Sequence, residues 1–276
     1  MAGKLEGKVA FITGAARGQG RSHAVRFAQE GADIIAVDVT KQVDTVPYPT
    51  ATAEDMAETV RQVEALDRRI VAAEADVRDM QALTEVVDRG VADLGRLDIV
   101  LANAGISTPA ETLEMSEETW DTMIDINLSG VWKTLKASVP HIINGERGGS
   151  VVITSSLAAI YPNPNTAHYS AAKAGLVQLG KVMAKELASQ SIRVNTVHPT
   201  TVATDMIINE ATFKLFRPDL ENPTRADFEE AALTLNALPV AAMDAADITN
   251  AIMYLVSDEG RYVTGTQLVI DAGGSL

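Results

Sequence analysis

The stretch from Lys8 to Gly20 reads Lys-Val-Ala-Phe-Ile-Thr-Gly-Ala-Ala-Arg-Gly-Gln-Gly, an apolar run that passes directly into a glycine-rich turn. The run 8–13 is typical of a buried strand, and residues 21–30 predict a helix that stops at Gly31. Glycines at such a strand-to-helix turn let a pyrophosphate approach the helix N-terminus, where free N–H groups and the helix dipole favour negative charge. The Gly-Lys-Ser/Thr ending of a nucleoside-triphosphate loop is missing. We therefore expect a dinucleotide-binding turn here.

Beyond this turn, short apolar runs alternate with segments of helical periodicity. Strands are predicted at 33–37, 69–74, 97–101, 150–154, 193–197 and 267–271, and helices at 54–67, 80–93, 117–143, 167–189 and 244–257. Strands that are apolar throughout and separated by helices predict a parallel sheet covered on both faces. We predict an α/β fold, a Rossmann-type doubly wound parallel sheet in three αβα layers, as a single domain over residues 1–276.

Two segments interrupt this alternation. The first is a loop insert near 39–53 with Pro47, Tyr48 and Pro49, and the second lies near 205–240. Both exceed the usual length of a connection in an α/β fold, and long loops on such a scaffold often cover a binding site. We expect a substrate lid near 205–240. The insert near 39–53 is either functional or a surface decoration or oligomer contact.

Composition narrows the range of partners and compartments. The chain has 276 residues, 46% of them hydrophobic, a net charge of −14 and no cysteine. The negative charge argues against nucleic acid and against an anionic membrane surface, and the lack of cysteine excludes disulfides and thiolate sites. Residues 1–8 lack the apolar core of a signal peptide, and the four histidines show no metal-ligand spacing. We expect a cytoplasmic protein without a metal.

A carboxylate follows the second predicted strand at the position that selects a dinucleotide. Asp38 lies 18 residues after Gly20, where a carboxylate can bond both hydroxyls of an adenosine ribose. The same charge repels a 2′-phosphate, which favours NAD over NADP. Arg17 instead favours NADP, since a basic residue in the turn can contact a 2′-phosphate. Because an unpaired charge against phosphate is costly, we predict NAD.

Tyr169 and Lys173 stand four residues apart in a predicted helix, which places both side chains on one face. A free tyrosine has a pKa of about 10, whereas a general base should titrate near the working pH. An ammonium group one turn away stabilises the phenolate and should lower the pKa of the tyrosine. Such a phenol could accept a proton from an alcohol while hydride leaves its carbon. By itself, such a pair is very common and usually indicates a solvated helix face.

Together these features resemble the classical short-chain dehydrogenases/reductases over nearly the whole chain. The matching motifs, in that family's order and near its spacings, are residues 13–20, Asp76-Val77, Asn103-Ala104-Gly105, Asn127, Ser156, Tyr169, Lys173 and Val263-Thr264-Gly265. The resemblance implies that Tyr169 is the general acid/base and that Ser156 bonds the substrate oxygen. Ser155 competes for the latter role, but Ser156 has the family's spacing to Tyr169. Lys173 would bond the nicotinamide ribose, and Asn127 would hold a water in a proton relay.

The same resemblance extends the set of residues expected to contact NAD. Thr200 stands where classical members usually carry glycine, so the backbone beside the nicotinamide is less free. The expected NAD contacts are Gly14, Arg17, Gly18, Gln19, Gly20, Asp38, Val39, Asp76, Val77, Asn103, Ala104, Gly105, Tyr169, Lys173, Pro199, Thr201, Val202 and Thr204.

Residues 14–23 and the insert containing Asp44-Thr-Val-Pro-Tyr-Pro49 resemble one subfamily, the mycofactocin-coupled dehydrogenases, which include carveol dehydrogenases. Members are thought to hold NAD without exchange and to pass the hydride to a separate redox partner, mycofactocin. The resemblance implies that the insert covers the adenosine end of NAD. Because family members are commonly tetramers, it also implies a homotetramer.

The sequence therefore predicts an NAD-dependent oxidoreductase that interconverts a small hydrophobic secondary alcohol and its ketone. The apolar character of the lid, which begins at Met206-Ile207-Ile208, favours such a substrate. The alternative is a non-catalytic NAD-binding sensor on the same fold. The presence of Ser156, Tyr169 and Lys173 together favours the enzyme.

Overall fold

The computed structural model describes residues 3–276, which contain one seven-stranded sheet. Its strands are β1 (Val9–Thr13), β2 (Asp33–Asp38), β3 (Ile70–Glu74), β4 (Ile99–Ala102), β5 (Gly149–Thr154), β6 (Ile192–Pro199) and β7 (Gln267–Ile270). The strand order is β3-β2-β1-β4-β5-β6-β7, and each neighbouring pair is parallel. The predicted Rossmann-type sheet is confirmed.

Helices connect these strands and cover both faces of the sheet. They are α1 (Gly18–Gln29), α2 (Ala53–Glu64), α3 (Met80–Leu94), α4 (Glu117–Ile124), α5 (Gly130–Asn144), α6 (Ala167–Leu187), α7 (Glu210–Phe216), α8 (Arg225–Ala232) and α9 (Ala245–Val256). Within residues 3–276, none of the helices combines the length and apolar character required for crossing a membrane.

The pleat of the strands divides the core into two apolar layers. Along β1, Val9 and Phe11 point into the layer that α3, α5 and α6 cover, whereas Ala10 and Ile12 point into the layer under α1, α2 and α9. A strand buried on both faces must be apolar at every position, which is why β1 shows no alternation. β1 pairs with β2 on one side and β4 on the other. A ligand crevice is expected where the chain changes winding direction between them.

Several helix boundaries differ from the sequence prediction, and two of the differences lie at the cavity. Helix α1 begins at Gly18 and not at Arg21, because Arg17 has extended backbone angles and serves as the N-cap. Glycine weakens a helix interior but is tolerated in the first turn, where the N–H groups have no helical partner. The predicted helix 117–143 is helical throughout, but the π-helical turn Asp125–Ser129 separates α4 from α5.

The two irregular segments lie where the sequence placed them. The insert separates β2 from α2, and the segment near 205–240 contains α7 and α8 between β6 and α9. Phe213, Phe216 and Phe228 pack together. The ring centroid of Phe228 lies 5.5 Å from that of Phe213 and 4.9 Å from that of Phe216. The proposed lid therefore has a small apolar core of its own.

Candidate active site

An open cavity lies at the carboxyl ends of the strands, beside the β1–β4 junction. It brings together most of the residues that the sequence predicts as cofactor contacts. These are Gly14, Arg17, Gly18, Gln19, Gly20, Asp38, Val39, Asp76, Val77, Asn103, Ala104, Gly105 and Thr204.

The glycine turn forms a cradle with no room for side chains. Gly14 and Gly18 have φ angles of +68° and +52°, which L-residues rarely adopt. A Cβ on Gly20 would lie 1.9 Å from the carbonyl oxygen of Gly14, and one on Gly14 would lie 2.9 Å from Cα of Ala104. The Asn103 amide donates to the carbonyl oxygen of Thr13 at 3.0 Å, which joins the β4 loop to this turn. The residues present therefore fit a dinucleotide whose phosphates lie on the turn.

Asp38 presents its carboxylate to the same cavity. Its Oδ2 accepts a hydrogen bond from the backbone N–H of Ala16 at 2.9 Å. Burial raises the pKa of Asp38 to about 6, although the Ala16 N–H and the charge of Arg17 act in the opposite direction. The carboxylate is thus ionised at neutral pH and able to accept hydrogen bonds from a ribose diol.

Arg17 connects the insert to the lid across the mouth of this cavity. Its Nη1 lies 2.9 Å from Oδ2 of Asp205, and its Nη2 donates to the carbonyl oxygen of Pro49. A guanidinium that is already paired with a carboxylate is poorly placed to neutralise a further phosphate. Together with Asp38, this arrangement favours a dinucleotide without a 2′-phosphate.

Three residues predicted for the reaction centre, Ser156, Tyr169 and Lys173, lie after β5 and near the start of α6. Lys173 is 3% exposed, and its Nζ donates to the carbonyl oxygen of Thr154 at 2.9 Å. Ser155 donates its hydroxyl hydrogen to the carbonyl oxygen of Lys173 at 2.9 Å, so its side chain is used within the protein. Ser156 interacts with the hydroxyl of Tyr169, whose pKa this contact lowers. The geometry thus favours Ser156 over Ser155 as the substrate contact.

The pKa values differ from the sequence-based expectation. Burial raises the pKa of Tyr169, and the opposing effect of Ser156 is smaller. Burial also lowers the pKa of Lys173 to about 8. The expectation that Lys173 lowers the pKa of Tyr169 is therefore not met in the protein alone. The physical reason is that desolvation of the phenolate outweighs an ammonium group 5.6 Å from the ring centre.

Asn127 lies in the π-helical turn and is fully buried. Its Oδ1 accepts from the N–H of Ile106 at 2.9 Å, and its Nδ2 donates to the Ile106 carbonyl oxygen at 2.8 Å. A Cβ on Gly105 would lie 2.9 Å from this Oδ1 and 3.4 Å from Nζ of Lys173. Asn127 and Lys173 therefore meet over Gly105, at the edge of the cofactor cavity, as a relay would require. π-Helical turns of this kind are frequent at functional sites.

Five of the predicted contacts do not line the cavity. Lys173 Nζ lies next to Gly105 and 5.6 Å from the centre of the Tyr169 ring, and Pro199 is the last residue of β6. Val202 is 3% exposed, and the carbonyl oxygen of Thr201 accepts from the N–H of Met243 at 2.9 Å. The roles of Pro199, Thr201 and Val202 toward the cofactor stay predictions.

The structure adds residues that the sequence did not indicate. His198 is buried, and its Nδ1 donates to the carbonyl oxygen of Ser156 at 3.0 Å, which helps to hold that residue. Burial lowers the pKa of His198, so the imidazole is neutral. Tyr48 of the insert lines the cavity, and Asp205 of the lid pairs with Arg17. Only Tyr48 carried a signal, as an aromatic residue in an unusually long loop.

Tyr48 also changes the expected position of the insert. Its hydroxyl accepts a hydrogen bond from the N–H of Ser107 at 3.1 Å, in the loop after β4. The insert therefore reaches the side of the cavity next to the reaction centre and does not lie only at the adenosine end. The reason is the burial of Val43, Val46 and Tyr48 in the core layer that also contains Ile106.

Metal ligation finds no support in the described part of the chain. Among residues 3–276, His, Asp and Glu side chains nowhere form a group of three that could hold a metal ion.

Known proteins share this architecture over nearly the full length of the chain. Residues 8–214 match the family described as short chain dehydrogenase. The (−)-trans-carveol dehydrogenase of Rhodococcus erythropolis is 54% identical, with 99% of each chain covered. Carveol dehydrogenase from Mycobacterium avium, solved in complex with NAD, is 55% identical with a TM-score of 0.98, over 99% of each chain.

A further relative extends the same pattern. A short chain dehydrogenase from Mycobacterium paratuberculosis, solved bound to NAD, is 45% identical with a TM-score of 0.91, over 99% of each chain. The family match covers more than half of the chain, and the relatives exceed 40% identity along its whole length. The chain belongs to the short-chain dehydrogenase/reductase family.

Proposed function

We propose that the protein is an NAD-dependent oxidoreductase that interconverts a small hydrophobic secondary alcohol and its ketone. The observation that carries the proposal is the proximity of Asn127, Ser156, Tyr169 and Lys173 to one another, beside the cavity that the glycine turn and Asp38 line. NAD is the cofactor, as the sequence predicts: Asp38 faces the cavity, and two relatives were solved with NAD.

Each residue of the reaction centre has a distinct task. When bound by the glycine turn and Asp38, NAD would supply the acceptor for the hydride of the carbinol carbon. The Tyr169 phenolate oxygen takes the proton of the substrate hydroxyl, while Ser156 donates a hydrogen bond that fixes the substrate oxygen. Lys173 holds a positive charge near the phenol, and Asn127 keeps the Ile106 backbone and a water path in place. Ketone reduction runs these steps in reverse.

Two observations support a small hydrophobic alcohol as the substrate. Two relatives are named carveol dehydrogenase, after a cyclic secondary alcohol. The start of the lid adds Met206 to the wall of the cavity, which Ile106 of the β4 loop also lines. Apolar side chains beside a few fixed hydrogen-bonding groups suit a small hydrophobic alcohol.

A non-catalytic NAD sensor remains the alternative on this fold. A sensor needs the glycine turn, Asp38 and the expected ribose contact of Lys173, but it has no use for a phenol beside that buried ammonium group. Lys173 is 3% exposed and loses solvation, a cost that burial of a charged group always carries. Retaining such a group next to Tyr169 favours catalysis.

Three finer proposals rest on the resemblance to the subfamily. They are a cytoplasmic location, a homotetramer, and hydride transfer from tightly held NAD to mycofactocin. The insert and lid that meet at Arg17 support tight holding of the nucleotide.

Purified protein with bound nucleotide is expected to reduce one equivalent of NAD when mixed with carveol. Absorbance at 340 nm of the bound nucleotide follows this single turnover, and mass spectrometry of the denatured protein identifies the nucleotide. The same alcohol with its hydroxyl methylated is the control, since it has no proton for Tyr169. No 340 nm signal with carveol or other cyclic secondary alcohols, despite bound NAD, would favour the sensor.

Asp38→Asn is expected to stabilise the nucleotide-free protein at pH 7.5 and to weaken NAD binding. The folded carboxyl has a raised pKa of about 6, so its ionisation destabilises the fold as pH rises from about 4 to 6. The effect is at most about 3 kcal/mol, because one pKa unit corresponds to about 1.4 kcal/mol. Melting temperature against pH and titration with NAD measure the two effects. An equally steep decline in the variant and the wild type would contradict this assignment.

A further inference from the structure

The insert is a preorganised element and not a loose loop. The side-chain amide of Gln42 donates to the carbonyl oxygens of Val43, Val46 and Tyr48, at 3.1, 3.3 and 3.2 Å. Val43, Val46 and Tyr48 are 5–6% exposed. One amide thus holds the loop closed around an apolar contact with the core, and the backbone at Tyr48 is fixed before any ligand binds.

A second set of contacts attaches the insert to the loop after β4. The Tyr48 hydroxyl accepts from the N–H of Ser107 at 3.1 Å, and the Thr108 hydroxyl donates to the carbonyl oxygen of Thr45 at 2.9 Å. Ser107 follows Ile106, whose backbone is bonded on both sides by Asn127. The phenol of Tyr48 is therefore held at a defined place on the cavity wall.

The Tyr48 hydroxyl has an unused hydrogen. It accepts one hydrogen bond, and within residues 3–276 its own O–H donates to no protein atom. A buried hydroxyl normally finds a partner for its donor. Burial raises the pKa of Tyr48 to about 12, so the phenol stays protonated and its O–H is available to a ligand acceptor.

The surroundings of Tyr48 indicate which acceptor this is. Its side chain lines the same cavity as Arg17 and the glycine turn. The glycine turn and Ala104 approach each other so closely that a Cβ on Gly14 would lie 2.9 Å from the Cα of Ala104. The phosphates of a dinucleotide on this turn would therefore pass beside the β4 loop that Tyr48 contacts.

We propose that Tyr48 binds the dinucleotide by donating its free hydroxyl hydrogen to a phosphate oxygen. The insert then contributes a specific ligand contact and is more than a cover. This inference rests on the proposed binding of NAD. It adds a cofactor-binding residue from outside the glycine turn and the β4 loop.

Tyr48→Phe tests the proposal, because it removes the hydroxyl and keeps the ring. Binding of NAD, ADP-ribose and adenosine to nucleotide-stripped protein is measured by calorimetry. Loss of a hydrogen bond to a charged group predicts about ten- to a hundredfold weaker binding of NAD and ADP-ribose. Adenosine, which has no phosphate, should bind the variant and the wild type equally. Tyr161→Phe, an exposed phenol, is the matched control and should change nothing.

Several outcomes would overturn the proposal. Equal weakening of adenosine and ADP-ribose would mean that Tyr48 only supports the β4 loop through Ser107. Unchanged binding of all three ligands would mean that the hydroxyl makes no bond to them. If wild-type protein binds none of the three, the proposed use of NAD fails, independently of Tyr48. Melting temperatures of both variants establish that the protein remains folded.

Discussion

Tyr169→Phe is expected to lower the single-turnover rate of alcohol oxidation by about 10²- to 10⁴-fold, the usual contribution of a general base. The variant keeps the ring that packs beside the core and loses only the oxygen that receives the substrate proton. Ser156 and Lys173 cannot replace it, because the first is a hydrogen-bond donor and the second donates to the carbonyl oxygen of Thr154. The dissociation constant for NAD should change little. Stopped-flow absorbance at 340 nm measures the rate, and calorimetry measures binding.

The pH profile gives an independent check on the same residue. Burial raises the pKa of Tyr169, so the phenolate fraction of the protein increases with pH throughout the neutral and mildly alkaline range. Oxidation by wild-type protein should therefore accelerate with rising pH, and the residual rate of the variant should not. Tyr254→Phe, on an exposed part of α9, is the matched control. Near-wild-type turnover by the Tyr169 variant would contradict the role of the phenol.

Much of the fold could be predicted because its signals are local. The inner strands are buried on both faces, and such strands have largely continuous apolar sequences, as in β1, β2 and β5. The glycine turn could be located because a positive φ at Gly14 and the contact of Gly20 with Gly14 leave no room for another residue. Local spacing also paired Tyr169 with Lys173, because residues four apart share a helix face.

The remaining features depend on contacts between residues distant in sequence. Arg17 forms an ion pair with Asp205 of the lid, and the Tyr48 hydroxyl accepts a hydrogen bond from Ser107, after β4. Because the partners are far apart in the sequence, no local spacing could reveal either pair. Burial raises the pKa of Tyr169 because the folded protein excludes solvent from the phenol. The spacing of residues along a helix cannot indicate how much solvent is excluded. His198 is a comparable case, since only the parallel pairing of β5 with β6 brings it to Ser156.

These distant contacts share one consequence for the site. Arg17 belongs to the glycine turn, yet its partners Pro49 and Asp205 come from the insert and the lid. The turn that supports the phosphates is thereby tied to both segments that border the cavity. A change in the backbone of the turn should therefore disturb the insert and the lid as well as the nucleotide.

Gly20→Ala is expected to abolish measurable NAD binding and to lower the melting temperature. The added Cβ would lie 1.9 Å from the carbonyl oxygen of Gly14 and 2.7 Å from its carbonyl carbon. Both atoms belong to the backbone of the turn, so the clash cannot be relieved by a rotating side chain. Helix α1 must move away from β1, although Ala24 and Phe27 are packed there with no exposed surface. Overpacking of this kind typically costs about 1–3 kcal/mol.

The matched control separates this clash from the general effect of adding a methyl group to a helix. In Gly175→Ala, on α6, the new Cβ would meet only the end of the flexible Leu128 side chain, at 3.1 Å. Alanine is the better helix former by about 1 kcal/mol, so this variant should be as stable as the wild type or more stable, and should bind NAD. Calorimetry and thermal melting apply to both variants. Tight NAD binding by Gly20→Ala would show that the phosphates do not depend on the shape of this turn.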